Sequence, residues 1–205
     1  MLTRENCRGI WSGITLPWKD DFSFNDKRFA YDCEMICKAG VPGIYTTGSS
    51  GEWHVLDFDE FKYLVDVFAD VMKDKNVLTA VGCHDLNTRD VMKKIDYVAR
   101  KGTIDGVQFS FPSWLRMNEN ECYDFINEVC SAYPNLGFWH YNTARTKVKF
   151  TGKNYPEVVD KNKNLIATKW TDSDIMAFCE LVNYTPQLNH FVGEHFLLYG
   201  IMNGA

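Results

Sequence analysis

The sequence lacks any apolar run long enough to cross a membrane. Its first residues, MLTRENCRGIWSG, contain no apolar segment of the kind found in signal peptides. Basic residues are scattered along a 205-residue chain of formal net charge −5, so no basic patch for nucleic acid or for an anionic membrane is evident. We therefore expect a cytoplasmic protein whose partners are small molecules, with no nucleic acid and no membrane among them.

Several catalytic and metal-binding motifs are also missing. There is no H-E-x-x-H, the spacing of a P-loop is absent, and Gly51 follows Ser50 directly, which does not fit a G-x-S-x-G nucleophile turn. The seven cysteines are an odd number, and most of them lie within apolar patterns. We interpret them as small buried side chains in a reducing compartment rather than as disulfides or zinc ligands. No metal site is predicted.

The sequence does contain a regular alternation of short apolar segments and longer amphipathic ones. The short segments have the length of strands, and the longer ones show a helical period. The alternation predicts seven successive βα units, and Asp172 is expected to open the sixth helix. The predicted strands lie at 9–17, 43–48, 76–82, 106–112, 136–142, 165–170 and 188–194, and the predicted helices at 25–40, 57–75, 87–102, 118–134, 154–162, 172–184 and 195–205.

This pattern allows either a (β/α)₈ TIM barrel or an open doubly wound sheet. A dinucleotide-binding sheet would carry G-x-G-x-x-G after its first strand, whereas this chain has LPWKD at 16–20, so the barrel is favoured. We predict one α/β domain over residues 1–205 that lacks the eighth strand and the C-terminal helices, apparently through truncation. Open edges at the first and seventh strands would make the chain marginally stable unless something supplies the missing strand.

Lys169 is the unusual candidate among the residues that end predicted strands. It follows the apolar segment LIAT at 165–168 and precedes Trp170, whereas most other lysines lie on helices or in polar segments. A lysine in a strand buried on both faces is costly unless it is paired or neutral. A neutral amine is a nucleophile for a ketone or an aldehyde. The residues alone leave open whether Lys169 is such a nucleophile or a structural lysine paired with a carboxylate.

A lysine that forms a Schiff base also needs a proton relay, and Tyr141 ends the preceding predicted strand. Period-two alternation puts Trp139 and Tyr141 on one face of that strand and Phe138 and His140 on the other. The second face resembles a helix-packing face, so Tyr141 is expected to point into the barrel. A one-residue shift would put His140 in its place, and an aromatic that simply caps the core is the structural alternative.

The segment TTGSSGE at 46–52 follows the second predicted strand. A loop rich in glycine and serine can bind an anion through backbone N–H groups and hydroxyls. Because the spacing of a phosphate-binding loop is absent, a carboxylate is the expected guest.

Three motifs in order resemble one known family. GSSGE (48–52) after the second strand, YN (141–142) after the fifth and ATKW (167–170) on the sixth look like the dihydrodipicolinate synthase and N-acetylneuraminate lyase family of class I aldolases. The resemblance covers almost the whole chain, but the family's eighth strand and C-terminal helices are absent. It implies a lyase or aldolase that uses no metal and no organic cofactor, and a homodimer or homotetramer.

The resemblance also implies a role for each site residue. Lys169 would form the imine with pyruvate or another 2-oxo acid, Tyr141 would relay protons, and the Ser50 hydroxyl would lie beside Tyr141. Gly48 and Ser49, together with Ser50, would hold the carboxylate of the 2-oxo acid. The enamine would then add to an aldehyde or be released by C–C cleavage.

Other positions bear on the second substrate. Dihydrodipicolinate synthases usually carry Pro-Tyr-Tyr after the fourth strand, where this chain has Pro112-Ser113-Trp114. Trp114 together with KW at 169–170 looks more like the hydratase-aldolase branch, which acts on substituted pyruvates. A non-catalytic homologue that only binds 2-oxo acids is a further alternative. Arg145 lies four positions after Tyr141, and Gly193 and Glu194 follow the seventh strand. Arg145, Gly193 and Glu194 are candidates for contacting the second substrate, although Glu194 could instead cap the last helix.

Overall fold

Seven parallel strands form one continuous sheet in the computed structural model, which describes residues 1–205. The strands follow one another in chain order, and a helix connects each strand to the next. The strands are β1 Trp11–Gly13, β2 Gly43–Thr46, β3 Leu78–Gly82, β4 Gly106–Phe109, β5 Gly137–Asn142, β6 Leu165–Trp170 and β7 Asn189–Val192. The helices are α1 Asp26–Lys38, α2 Phe58–Met72, α3 Thr88–Lys101, α4 Glu119–Ala132, α5 Tyr155–Lys161, α6 Ile175–Tyr184 and α7 Leu197–Met202. The seven predicted βα units are confirmed, as is the α/β barrel class without an eighth unit.

The sheet curls so that side chains of its first and last strands meet. Trp11 on β1 contacts Phe191 on β7 edge to face, with ring centroids 6.3 Å apart. The N-terminal segment fills the amino-terminal end of this curl, because Leu2 is buried there and Asn189 donates a hydrogen bond to the carbonyl of Arg4. The opposite end, where the strands finish, is left for polar side chains.

The main core lies between the outer face of the sheet and the helices. Its 37 buried residues include Ile44 and Val81 from the strands and Phe61, Leu64 and Phe68 from α2, which recur at helical spacing. Inward-facing residues form a smaller cluster within the curl. Alternation along each strand therefore separates side chains that pack against helices from side chains that line the barrel. None of the helices combines the length and apolar character that crossing a membrane requires.

Polar caps fix where the helices begin. Asp57 and Glu60 form a capping box at the start of α2, each side chain accepting a hydrogen bond from the other's backbone N–H. The start predicted for the sixth helix was wrong. Asp174 rather than Asp172 is its N-cap, accepting from the Ala177 N–H at 3.0 Å. The carboxylate of Asp172 instead pairs with Lys149 through Oδ2 and accepts the N–H groups of Ser173 and Asp174 through Oδ1.

The two edges of the sheet remain open. β1 and β7 each pair with a strand on one side only, which leaves backbone groups unpaired on the other. The nearby helices expose large apolar side chains, among them Met176 on α6 and Leu198 and Met202 on α7. The open edges and the exposed apolar side chains both favour low stability. The low stability of the 205 residues on their own stays a prediction.

Candidate active site

Lys169 lies near the carboxyl end of β6, half-buried between two tyrosine rings. Its Nζ donates a hydrogen bond to Tyr45 Oη at 2.8 Å and lies 4.8 Å from the centroid of the Tyr141 ring. Tyr141 is opposite Lys169 in the register of β5 and β6, whereas Tyr45 reaches across the barrel from β2. The amine therefore faces the barrel interior at its open end.

His140, the alternative to Tyr141, faces the opposite way. It is buried, and its Nδ1 lies 2.8 Å from Tyr155 Oη on α5. Burial lowers the pKa of His140 to about 3, so the ring is neutral near pH 7. The structure thus places His140 in the helix-packing layer and Tyr141 inside the barrel, as the alternation along β5 predicts.

The phenol of Tyr141 is surrounded by hydroxyl groups. Burial by itself raises its pKa, but hydrogen bonding from Ser49 and Thr143, the charge of Lys169 and hydrogen bonding from Thr171 act in the opposite direction. These contacts outweigh burial, and the pKa of Tyr141 lies below its ordinary value. A phenol in such surroundings gives up and takes back a proton more readily than an isolated one, as a relay requires.

The loop after β2 presents consecutive backbone donors. The N–H groups of Gly48, Ser49 and Ser50 donate to no acceptor in the protein, whereas those of Gly51 and Glu52 turn back onto the carbonyls of Gly48 and Ser49. The loop is tightly folded, because a Cβ at Gly51 would lie 3.0 Å from the Thr47 nitrogen. Three neighbouring free N–H groups form the kind of concave site that binds an anion.

The loop does not orient its serines as predicted. Ser49, not Ser50, is the serine that lowers the pKa of the Tyr141 phenol, and Ser50 is exposed. The chain turns before the serines at Thr47, whose φ of 54° lies in the left-handed region. Thr47 is held in this conformation by its hydroxyl, which donates to the carbonyl of Gly82 at 2.8 Å. The expectation that the Ser50 hydroxyl lies beside Tyr141 is therefore corrected to Ser49.

A hydrogen bond joins this loop to the segment after β1. The indole N–H of Trp18 donates to Glu52 Oε2 at 2.7 Å, and Glu52 itself has a φ of 47°. A non-glycine residue in the left-handed region is held there only by its surroundings. The contact between Trp18 and Glu52 thus stabilises the loop in the conformation that presents its N–H groups.

Trp18→Phe is expected to loosen the loop without touching Lys169. Removing a hydrogen bond to a charged group costs about 1.5–3 kcal/mol, part of which appears as reduced order of the loop. If the loop holds a carboxylate, as the sequence predicts, the concentration of a carboxylate ligand that half-saturates binding should rise about tenfold. Glu52→Gln keeps an acceptor oxygen and should show a smaller rise. Equal half-saturation in both variants and the parent chain would show that this contact does not order the loop.

His84, after β3, is a further buried polar residue next to Tyr141. Its ring centroid lies 5.9 Å from that of Tyr141, and its Nδ1 is 3.0 Å from Ser110 Oγ. Burial, reinforced by the charges of Lys94 and Lys169, lowers the pKa of His84 to about 3. The imidazole is therefore neutral near pH 7 and adds no second cation beside Lys169.

A cavity of about 340 Å³ opens above Tyr141 between the loops that follow β5 and β6. Arg145 lines it, as do Lys149 and Asp172, which form an ion pair with each other. The Arg145 side chain is exposed and forms no ion pair. A second substrate that reaches Tyr141 through this cavity would pass a predominantly polar and charged wall.

Three other predicted residues lie elsewhere. Trp114 is 67% exposed and does not line this cavity. Gly193 follows β7, where it contacts His195, and Glu194 is exposed with no capping hydrogen bond. The structure therefore brings Arg145 to Tyr141 but not Trp114, Gly193 or Glu194.

Sequence reasoning overlooked Tyr45, Thr143 and Thr171, which lie near Lys169 or Tyr141. The signal was present for each of them. Tyr45 alternates with Ile44 and Thr46 along β2, and Thr143 and Thr171 each come two positions after a predicted site residue. Such spacing puts side chains on the same face of a strand.

The fold and the site together define a class: a TIM-type α/β barrel whose strands end around a lysine and tyrosine pair and a loop with free backbone N–H groups. The chain belongs to the dihydrodipicolinate synthetase family, which it matches over residues 6–203.

Named relatives agree with this assignment. The chain is 25% identical over 189 residues to the 4-hydroxy-tetrahydrodipicolinate synthase of Methanothrix thermoacetophila, covering 90% of this chain and 61% of that protein. It is 28% identical over 204 residues to the N-acetylneuraminate lyase of Rhizobium meliloti, covering 96% and 65%. The chain thus spans somewhat less than two thirds of these proteins.

A solved structure shares the fold. The crystal structure of YagE, a prophage protein of the dihydrodipicolinic acid synthase family from E. coli in complex with pyruvate, superposes with a TM-score of 0.88. The two sequences are 20% identical, and the match covers 96% of this chain and 67% of that one. At this identity the similarity supports the barrel alone.

Proposed function

We propose that this chain forms a Schiff base between Lys169 and pyruvate or a related 2-oxo acid, and makes or breaks a C–C bond to an aldehyde. The observation that carries the proposal is the inward-facing amine of Lys169 beside the Tyr141 phenol. Ser49 connects this pair to the loop after β2, because its side chain lowers the pKa of Tyr141 while its N–H is free. A 2-oxo acid carries a carboxylate next to a ketone. The carboxylate matches the N–H donors of the loop, and the ketone matches the amine of Lys169.

The chemistry follows from these groups. The Lys169 amine attacks the ketone carbon, and the resulting carbinolamine loses water when Tyr141 delivers a proton to its hydroxyl. The N–H groups of Gly48, Ser49 and Ser50 hold the carboxylate. Loss of a proton from the carbon next to the imine gives an enamine, which adds to an aldehyde, and cleavage runs through the same steps in reverse. Arg145 would meet the aldehyde partner in the cavity above Tyr141.

Relatives supply supporting context. One of them is a synthase and another a lyase by name, and YagE was crystallised with pyruvate. By the same resemblance we expect a homodimer or homotetramer. Gly193 and Glu194 remain candidates for contacting the second substrate.

Reductive trapping tests the proposal directly. Incubation of the folded protein with pyruvate and borohydride should add the mass of a reduced pyruvyl group, and peptide mapping should place it on Lys169. The ion-paired Lys94, a second buried lysine, serves as an internal control and should stay unmodified, since Asp85 and the His84 carbonyl occupy its ammonium group. A folded protein that gives no adduct at Lys169 would refute the Schiff-base function.

A hydratase-aldolase acting on substituted pyruvates is the second candidate, favoured by Trp114 in the segment after β4. The exposed position of Trp114 and the charged wall of the cavity give an aromatic substrate little apolar surface. Comparing aliphatic with aromatic aldehydes as acceptors separates these two candidates. A non-catalytic homologue would instead bind pyruvate in calorimetry without forming a trappable imine.

A further inference from the structure

Lys94 occupies a core position on α3. The buried residues of this helix recur at the spacing of one helix face, and they are Val91, Lys94, Ile95 and Val98. The other members of this stripe are apolar, and the Lys94 side chain is only 6% exposed. A charged side chain in such a place is costly unless it is paired and hydrogen-bonded. Apolar packing therefore does not explain why a lysine stands here.

The ammonium group of Lys94 contacts two segments at the mouth of the barrel. Its Nζ lies 2.8 Å from Asp85 Oδ2 and donates a hydrogen bond to the His84 carbonyl, also at 2.8 Å. Both partners belong to the segment after β3. Nζ also lies 5.3 Å from the centroid of the Trp53 ring, in the 3₁₀ turn that follows the loop after β2. Lys94 thus joins α3 to the segments that follow β2 and β3.

The ring of His84 contacts the aromatic side chains of the candidate site. Its centroid lies 5.9 Å from that of Tyr141, with an interplanar angle of 71°, and 5.9 Å from that of Trp53. The contact with Tyr141 has the edge-to-face geometry that aromatic rings favour. Ser110 fixes the other side of the imidazole, since its Oγ is 3.0 Å from Nδ1. Lys94 holds the backbone of His84 while Ser110 holds its ring.

Burial of the ion pair does not by itself favour the fold. Well-packed apolar side chains of similar volume are often as stabilising as a buried ion pair, because desolvating two charges offsets most of their attraction. An apolar residue at position 94 could not, however, donate a hydrogen bond to the His84 carbonyl. The donor is therefore what this lysine contributes and what an apolar side chain would lose.

We propose that Lys94 is a positioning residue that holds His84 against the Tyr141 ring. The Nζ donor fixes the backbone of the segment after β3, and the imidazole then supports the phenol from that side. Lys94 acts through His84, because its own ammonium group is occupied by Asp85 and the His84 carbonyl. Its effect on the reaction rests on the proposed relay role of Tyr141, whereas the contact between His84 and Tyr141 can be measured without any substrate.

The imidazole C–H resonances of His84 test the contact in the absence of pyruvate. The chain has five histidines, and the signals that vanish in His84→Gln belong to His84. Ring currents from Tyr141 and Trp53 shift the resonances of an imidazole held against them. Lys94→Met is combined with Asp85→Asn, because removing one partner alone would leave a buried charge unpaired. In this double variant the His84 resonances should move toward those of an unpacked histidine.

The rate of imine formation gives the second readout. The double variant should form the borohydride-trappable imine about tenfold more slowly at saturating pyruvate, because a displaced phenol transfers protons less efficiently. The pyruvate concentration that gives half-saturation should change little, since the loop after β2 keeps its free N–H groups. Asp85→Asn alone keeps an acceptor for Lys94 and the bond to the His84 carbonyl, so its rate should stay close to that of the parent chain.

A second ion pair on the same helix serves as the control. Lys101 pairs with Asp66 of α2 at a partly exposed site. Lys101→Met combined with Asp66→Asn therefore makes the same two chemical changes at the opposite end of α3. Both the His84 resonances and the rate of imine formation should keep their parent values in this control.

The outcomes separate this proposal from the Schiff-base function. Parent His84 resonances in the folded double variant would overturn it, and so would shifted resonances with the parent rate of imine formation. If the double variant does not fold, His84→Gln decides, because loss of the ring should slow the imine by a similar factor and a parent rate would again overturn the proposal. A parent chain that forms no imine refutes the Schiff-base function, and the resonances alone then decide whether Lys94 positions His84.

Discussion

Lys169→Met is expected to abolish the pyruvyl adduct and to lower any C–C cleavage or condensation by at least about 10³-fold. Methionine keeps most of the volume of the lysine stem but has no nucleophile, so the covalent step cannot occur. In the resting protein the substitution removes the hydrogen bond from Nζ to Tyr45 Oη and the positive charge beside Tyr141. Mass spectrometry after borohydride reduction, together with the rate of product formation, gives both readouts.

A charge-matched control accompanies this variant. Lys163→Met removes the same charge at an exposed position, where the side chain is 81% accessible and its Nζ is 4.0 Å from the carboxylate of Asp160. It should trap pyruvate at the parent rate. Adduct formation that survives in Lys169→Met would mean that another amine carries the chemistry.

Tyr141→Phe should slow imine formation by about 10²–10⁴-fold while leaving the fold and the binding of pyruvate largely intact. Loss of the hydroxyl removes the group that Ser49, Thr143 and Thr171 surround, whereas the ring still packs against His84. The rate of borohydride-trappable imine formation at saturating pyruvate is the measurement, because it isolates proton transfer from carboxylate binding.

The other phenol near Lys169 provides the comparison. Tyr45→Phe removes only the acceptor for the resting amine, worth about 1 kcal/mol, so the rate should change by about fivefold. Tyr184→Phe, at a half-exposed position on α6, should change nothing. If Tyr45→Phe proved the more damaging of the two, Tyr45 would be the relay and the role of Tyr141 would be structural.

The fold could be predicted because its signals are local and repeated. Each apolar segment between turn residues became a strand, and each amphipathic segment became a helix with a polar cap. The prediction of where the sixth helix begins was wrong, because the side chain of Asp172 had two possible partners. Asp172 has the residue type of an N-cap, but its carboxylate pairs with Lys149, a partner 23 residues away that no local pattern reveals.

The residues of the candidate site also differ in whether local sequence patterns could predict them. Lys169 and Tyr141 were identifiable because a lysine at the end of an apolar strand is unusual and because alternation assigns each strand residue to a face. Alternation could not predict which of the serines at 49 and 50 faces Tyr141, because both lie in a loop that has no regular repeat. The chain turns before both serines at Thr47, whose backbone is left-handed and whose hydroxyl bonds to the carbonyl of Gly82 on the neighbouring strand.

The sequence by itself therefore determined the order of strands and helices, the barrel class and the two residues on which the proposed chemistry depends. The tertiary structure alone decided that Ser49 rather than Ser50 acts on Tyr141 and that Tyr45 accepts a hydrogen bond from Lys169 across the barrel. It also decided that Thr143 and Thr171 complete the surroundings of the phenol. The physical reason is that period and propensity act between near neighbours in the chain, whereas these contacts join side chains from different strands whose distances exist only after the sheet has curled.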